Sequence, residues 1–136
     1  MPSPTLTAAT DADRSFRPSA SAMNWLITAT FLATGWAMYM RYMVIEPSTV
    51  GLACEAGLKT FQCQSRAVVI AIFGWSVFGV IALAAAVLQV WRPRVLTFGV
   101  ALAFAGIALV LYNNVAGAVA AMLIILSLAR PGPAQD

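Results

Sequence analysis

The feature that most constrains this chain is a run of 25 residues, 67–91, without a single charged side chain. As an α-helix it would be about 37 Å long, more than the ~30 Å hydrocarbon core of a bilayer. Three further apolar runs cover residues 25–45, 95–112 and 115–129, and Arg41 is their only charged residue. The four runs predict an all-α integral membrane protein, built as a four-helix transmembrane bundle.

The fourth run is short for a membrane span. Its 15 residues would reach only about 23 Å as a helix. Residues 95–129 are too long for one helix and carry Asn113 and Asn114 near their middle. Because asparagine suits a tight turn, we expect two antiparallel helices joined at this polar pair. A re-entrant hairpin, in which the fourth helix does not cross, is the alternative.

Composition excludes several classes of protein. Hydrophobic residues make up 61% of the chain and charged residues only 10%, whereas soluble domains carry about 25% charged residues. With a mean hydropathy of +0.84, the chain is not a water-soluble enzyme. It contains no histidine, which excludes histidine-ligated haem, ordinary zinc sites and Ser-His or Cys-His catalysis. No metal site is expected.

The basic residues predict an orientation. They form no stripe along the chain, so a net charge of +3 does not indicate nucleic-acid binding. An even number of spans places both termini on one side of the membrane. That side would hold Arg14, Arg17, Arg92, Arg94 and Arg130, and the other side Arg41, Lys59 and Arg66. The positive-inside rule therefore predicts an N-in, C-in protein of the cytoplasmic (inner) membrane.

The chain divides into three parts. Residues 1–23 are rich in Ser, Thr, Ala and Pro and predict a disordered cytoplasmic tail. Residues 24–130 form the four-span membrane domain, with residues 46–66 as its exported loop. Residues 131–136 form a short C-terminal tail.

The predicted spans lack the groups that transport needs. They carry no Asp, Glu, Lys or His at mid-depth, which disfavours ion pumps and proton relays. Arg41 lies near the exported end of the first span, where it serves as an interfacial anchor or contacts a headgroup or quinone. Gly99, Ala103 and Gly106 lie on one face of the third span. Such small residues indicate close helix packing rather than a particular function.

Four residues are candidates for binding a flat apolar ligand. Trp75 and Phe78 lie beside two glycines in the second span, and Tyr112 and Asn113 end the third. Together they offer aromatic faces and one polar group for a pocket. The alternative is that the aromatic residues face lipid or pack, and that the asparagine only makes the turn.

The exported loop carries the only reactive side chains, Cys54 and Cys63, with eight residues between them. An exported loop lies on the oxidising side in bacteria, where disulfides persist. A bridge over this short loop would contribute roughly 2.7 kcal/mol of stability in the chain-entropy model. The pair is either a structural staple or a redox pair that exchanges electrons with a partner protein.

Several of these features are similar to those of one membrane family. Four spans, cytoplasmic termini and the Cys54/Cys63 spacing resemble the vitamin K epoxide reductase family. They also resemble, more distantly, the bacterial disulfide-bond formation protein B family. The runs Ala71-Ile72-Phe73-Gly74 and Leu111-Tyr112-Asn113 are similar to the start of that family's second span and the end of its third. The resemblance implies that the loop cysteines accept electrons from a partner and that a CxxC in the fourth span passes them to a quinone.

The matching stretch of this chain, Asn114-Val115-Ala116-Gly117-Ala118, contains no cysteine. The family's mechanism therefore does not run in this chain alone. Two main hypotheses follow, with transport of a small molecule or lipid as a third. The first is a non-catalytic accessory or structural subunit with a stapled exported loop, surrounded by lipid and by other membrane subunits or copies of itself. The second is a membrane thiol–disulfide exchange protein, with Cys54 and Cys63 as its catalytic pair and a quinone as its cofactor.

Overall fold

The computed structural model describes residues 16–130. The regular secondary structure of this part of the chain is entirely helical, with no β-strand, which confirms the all-α prediction. The helices are α1 (Ala20–Tyr39), which continues as a π-helical turn (Met40–Ile45), α2 (Ser48–Glu55), α3 (Phe61–Gly74), α4 (Val77–Trp91), α5 (Val95–Val110) and α6 (Asn114–Ala129). Residues 1–15 of the predicted N-terminal tail (1–23) and the whole predicted C-terminal tail (131–136) lie outside the described residues.

Helix α1 begins inside the segment predicted as a tail. The Ser19 hydroxyl accepts a hydrogen bond of 3.2 Å from the Ala22 N–H and caps the helix. Just before it, Phe16 is buried against Phe98, with 5.7 Å between the ring centroids. Residues 16–23 therefore belong to the folded part of the chain, whereas the sequence predicts the domain boundary after residue 23.

Helices α1, α4, α5 and α6 form a bundle in which α1 runs parallel to α5. A Cβ on Gly99 would lie 2.7 Å from Leu26 Cδ2. Further along, Arg41 donates from Nη1 to the Val110 carbonyl over 2.8 Å. Because short turns reverse the chain between α4, α5 and α6, one end of the bundle gathers the basic residues Arg17, Arg92, Arg94 and Arg130. We call this the arginine end, and the opposite end, where α2 and α3 lie, the loop end.

The uninterrupted length of the second apolar run predicts one continuous helix, but in the structure this run forms two helices. Its halves, α3 and α4, meet at an angle of 56°. The cause is Ser76, whose backbone lies in the left-handed region with φ 52°, and whose N–H donates to the Phe73 carbonyl over 2.9 Å. Among the described residues, no single helix meets the length and hydropathy that a membrane crossing requires. The bent α3–α4 pair meets them only when its two halves are counted together.

The bundle has small residues inside and large apolar residues outside. Its interior is lined mainly by buried alanines, which are Ala37, Ala82, Ala85, Ala86, Ala101, Ala105, Ala108 and Ala120. By contrast, Trp25 and Phe31 on α1 are each 74% exposed, and Leu96 and Val115 are equally prominent on the surface. A few large side chains such as Phe78 and Phe98 are buried, but many more lie on the surface, whereas in water the hydrophobic effect buries large apolar side chains first.

Candidate functional site

The predicted exported loop folds as a compact helix–turn–helix closed by a disulfide. Cys54 at the end of α2 and Cys63 at the start of α3 are bonded, with their Cα atoms 5.4 Å apart. Gly57 makes the turn between them with φ 94°, a conformation that glycine adopts without strain. The Thr60 hydroxyl caps α3 by accepting from the Cys63 N–H over 3.3 Å. The bridge therefore joins two short helices that have few other contacts.

Beside the disulfide lies a small hollow of about 240 Å³, lined by Thr49, Val50, Ala53, Leu58, Thr60, Gln62 and Cys63. Only the second of the two cysteines contributes to its wall. Both cysteines are half-buried, and the described residues contain no free thiol. The hollow at Cys63 gives a partner thiol one approach to this bond.

A polar cluster of Arg41, Glu46 and Tyr112 lies at the loop end of the bundle. The Arg41 Nε and the Tyr112 hydroxyl both donate to Oε1 of Glu46, each over 2.9 Å. The Arg41 guanidinium also lies 4.3 Å from the centroid of the Tyr112 ring, within cation–π range. With the bond to the Val110 carbonyl, the cluster ties the end of α1 to the α5–α6 turn.

Local backbone geometry builds this cluster. In the π-helical turn the Glu46 N–H donates to the Arg41 carbonyl over 2.9 Å, which aligns residues five apart and brings their side chains together. Tyr112 takes the left-handed conformation, with φ 66°, that turns the chain from α5 into α6. The chain turns where the polar pair predicts it, between α5 and α6, and Asn113 lies in this turn with φ −92°, but the left-handed residue is Tyr112 rather than an asparagine.

The cluster changes the acidity of its carboxylate. The hydrogen bond from Arg41 lowers the pKa of Glu46 below its ordinary range, and the hydrogen bond from the Tyr112 hydroxyl lowers it further. Both donors favour the ionised form. Glu46 is therefore a stable anion that holds two other side chains in place, rather than a proton donor.

The four candidate ligand residues do not form one pocket. Tyr112 and Asn113 line an open groove of about 600 Å³ between α4 and the start of α6. Trp75 is 84% exposed and does not line the groove, although Ser76 beside it does. Phe78 is buried in the core, with its ring centroid 6.3 Å from that of Phe104.

Sequence reasoning misses two polar residues. Glu46 stands at the start of the predicted loop, five positions after Arg41, and this spacing brings two side chains together in a π-helical turn but not in a regular α-helix, so no sequence signal marks the pair. Gln89 lies inside an apolar run, where no pattern marks it. Its side chain is completely buried and its Oε1 accepts from the Arg94 N–H over 3.0 Å and from the Thr97 hydroxyl. Gln89 thus holds the turn at the arginine end of the bundle.

Within residues 16–130 no group of three or more His, Cys, Asp or Glu side chains is placed to hold a metal ion. No family model, curated protein or solved structure matches this chain. The likeness to the vitamin K epoxide reductase family therefore stays a prediction from topology and short motifs.

Proposed function

We propose that this chain is a small integral membrane protein with a structural or accessory role, and not an enzyme. The observation that carries the proposal is the inverted core, with alanines buried between the helices and large apolar side chains outside. Lipid provides no hydrophobic drive for helices to associate, so small residues that allow close contact line helix interfaces in membranes. Large apolar side chains that face outward are stable there because they meet lipid chains instead of water.

Charge at the two ends supports an N-in, C-in orientation. The arginine end carries Arg17, Arg92, Arg94 and Arg130. The loop end carries Arg41, Lys59 and Arg66, together with Glu46 and Glu55. The positive-inside rule places the end with more basic residues in the cytoplasm, so the disulfide lies on the exported side.

The contacts at the loop end support a structural role for the exported part. The side chains of the polar cluster, Arg41, Glu46 and Tyr112, bind one another. Few of their hydrogen-bonding groups are therefore left to act on a substrate. The disulfide joins α2 to α3 above them. On this disulfide-closed helix–turn–helix, Phe61 is 80% exposed, and Leu52 and Leu58 are also exposed. These three residues lie beyond the part of the bundle that lipid would cover. Apolar side chains in that position favour contact with another membrane subunit or a second copy of this chain.

Extraction tests the membrane assignment. The protein is expressed with a C-terminal tag, and membranes are washed with high salt and then with alkaline carbonate. We expect the chain to stay in the pellet after both washes and to be released by detergent alone. A peripheral protein expressed in the same cells is the control and should leave with carbonate. Release of this chain by carbonate would overturn the proposal.

The thiol–disulfide exchange hypothesis is the alternative. It requires a sulfur that a partner can attack, and the hollow at Cys63 provides such an approach. It also requires a route for electrons away from the pair, and the described residues contain no second cysteine pair. Single-cysteine variants separate the two functions, because only an exchange protein would accumulate as a mixed disulfide with a partner.

A further inference from the structure

Three arginines at the arginine end are brought together by the turn between α4 and α5 and by the end of α6. Arg92 and Arg94 flank Pro93 in this turn, and Arg130 follows α6. The Arg130 Nη1 donates to the Val90 carbonyl, two positions before Arg92, over 3.2 Å. Two residues span at most about 7 Å of chain, so arginine side chains at the three positions are long enough to meet at one phosphate-sized anion.

Buried contacts fix the backbone of this turn. The Arg94 N–H donates to Oε1 of the fully buried Gln89 over 3.0 Å, and the Arg94 carbonyl accepts from the Thr97 hydroxyl over 3.0 Å. The Arg92 N–H continues the hydrogen bonding of α4 by donating to the Leu88 carbonyl over 2.7 Å. A binding surface on a fixed backbone loses little conformational freedom when a ligand binds. The turn therefore presents its two arginines from a rigid base.

Within the described residues, the protein does not neutralise the charges of this turn. The acidic side chains of residues 16–130 are Glu46 and Glu55, and both lie at the loop end, where Glu46 pairs with Arg41. The side chains of Arg92 and Arg94 are exposed and make no hydrogen bond or ion pair in this part of the chain. Like charges held close together repel one another, so binding of an anion among them is favourable.

Exposed apolar side chains border the arginines on both sides. Trp91 precedes Arg92 and is 77% exposed, and Leu96 follows Arg94 by two positions and is also 77% exposed. A soluble polyanion would leave both apolar side chains in water. A phospholipid covers them with its acyl chains while its phosphate meets the guanidinium groups, whose paired donors match phosphate oxygens. The surface therefore favours a lipid over a soluble anion.

We propose that the arginine end binds one anionic phospholipid. Its phosphate lies among Arg92, Arg94 and Arg130, and its acyl chains lie against Trp91 and Leu96. Its net negative charge complements an end of the bundle that has no acidic side chain among the described residues, so a zwitterionic lipid with the same chains binds less tightly. The positive-inside rule assigns only an orientation from these arginines, whereas selection of a lipid class is a separate property. The inference rests on the proposed membrane function, since the acyl chains must lie in a bilayer.

Native mass spectrometry of the detergent-purified full chain tests the proposal. Dioleoyl phosphatidylglycerol, which is anionic, and dioleoyl phosphatidylethanolamine, which is zwitterionic, are titrated into each protein. The proteins are the wild type, Arg92→Gln, Arg92→Gln/Arg94→Gln and the control Lys59→Gln, which removes one exposed positive charge at the loop end. Arg130 is left in place because its bond to the Val90 carbonyl also holds α6 to α4. Parallel titrations use inorganic phosphate and a short oligonucleotide.

The wild type should bind phosphatidylglycerol more tightly than phosphatidylethanolamine, by about tenfold or more. Affinity for the anionic lipid should fall about fivefold in Arg92→Gln and about 25-fold in the double variant, and stay unchanged in Lys59→Gln. Equal affinity for the two lipids, or equal effects of Arg92→Gln and Lys59→Gln, would overturn the inference. Tighter binding of inorganic phosphate or of the oligonucleotide than of the anionic lipid would also overturn it. If carbonate leaves the chain in the membrane, such results refute the lipid site alone.

Discussion

The guanidinium of Arg41 lies 4.3 Å from the centroid of the Tyr112 ring, and the hydroxyl of that ring donates to the same Glu46 oxygen that Arg41 binds. Glu46 and Tyr112 are separated by 66 positions in the chain. Together the three residues lock the end of α1 onto the α5–α6 turn. Substitutions in this cluster therefore report how much these contacts stabilise the loop end.

Substitutions in this cluster should lower the stability of the protein by different amounts. Tyr112→Phe removes only the hydroxyl that donates to Glu46, whereas Arg41→Ala also removes the ring contact and the bond to the Val110 carbonyl. We expect Tyr112→Phe to lower the melting temperature by about 2–5 °C and Arg41→Ala to lower it further. Thermal unfolding in detergent measures both. Tyr42→Phe is the control, and an equal effect at both tyrosines would contradict the cluster.

Glu46 should make stability depend on pH on the acid side. Its pKa is lowered in the folded protein from an ordinary value of 4.5, first by Arg41 and then by Tyr112. A group with a lowered folded pKa stabilises the fold above its unfolded pKa, and that contribution is lost as the pH falls through the folded pKa. Melting temperature should therefore drop as the pH falls below the ordinary value in the wild type and in Glu55→Gln, and drop less in Glu46→Gln. Identical acid profiles in all three proteins would count against the pairing.

The disulfide should contribute stability and take no part in electron transfer. Cys54→Ser opens a loop with a sequence separation of 9, which costs roughly 2.7 kcal/mol in the chain-entropy model. Reductant should lower the melting temperature of the wild type and leave the Cys54→Ser/Cys63→Ser variant unchanged. In living cells, acid quenching and maleimide gel shift should find the pair oxidised both in respiring and in quinone-starved cells. A shift toward thiols on starvation would support the exchange hypothesis instead.

Gly79 should be intolerant of any side chain. A Cβ at this position would lie 2.8 Å from Ala116 Cβ, so Gly79→Ala pushes α4 away from α6. We expect a loss of about 1–3 kcal/mol in unfolding free energy, the range for overpacking. Gly35→Ala is the matched control because nothing lies within 4 Å of its added Cβ. Since alanine favours helix over glycine, that variant should be neutral or slightly more stable. Equal effects at the two glycines would disprove the close approach.

Local patterns predicted the elements better than the contacts between them. The apolar runs 95–112 and 115–129 correspond to α5 and α6, and the loop cysteines form the bridge that their spacing allowed. The break at Ser76 was missed because no proline or Asn-Gly pair in the sequence marks its left-handed backbone. The Glu46–Tyr112 bond joins residues far apart in the chain. Only tertiary packing brings such a pair together, so no local pattern indicates it.

Labelling of Lys59 from outside the cell tests the central claim most directly. Lys59 is the only lysine in the chain and is exposed between the two cysteines. A membrane-impermeant amine reagent should label it in spheroplasts without permeabilisation. Lys59→Arg should abolish that signal, and adding Ser21→Lys to this variant should increase labelling only after detergent. Labelling of Lys59 only after permeabilisation, or labelling of the Lys59→Arg/Ser21→Lys variant before it, would contradict an N-in protein with an exported, disulfide-closed loop.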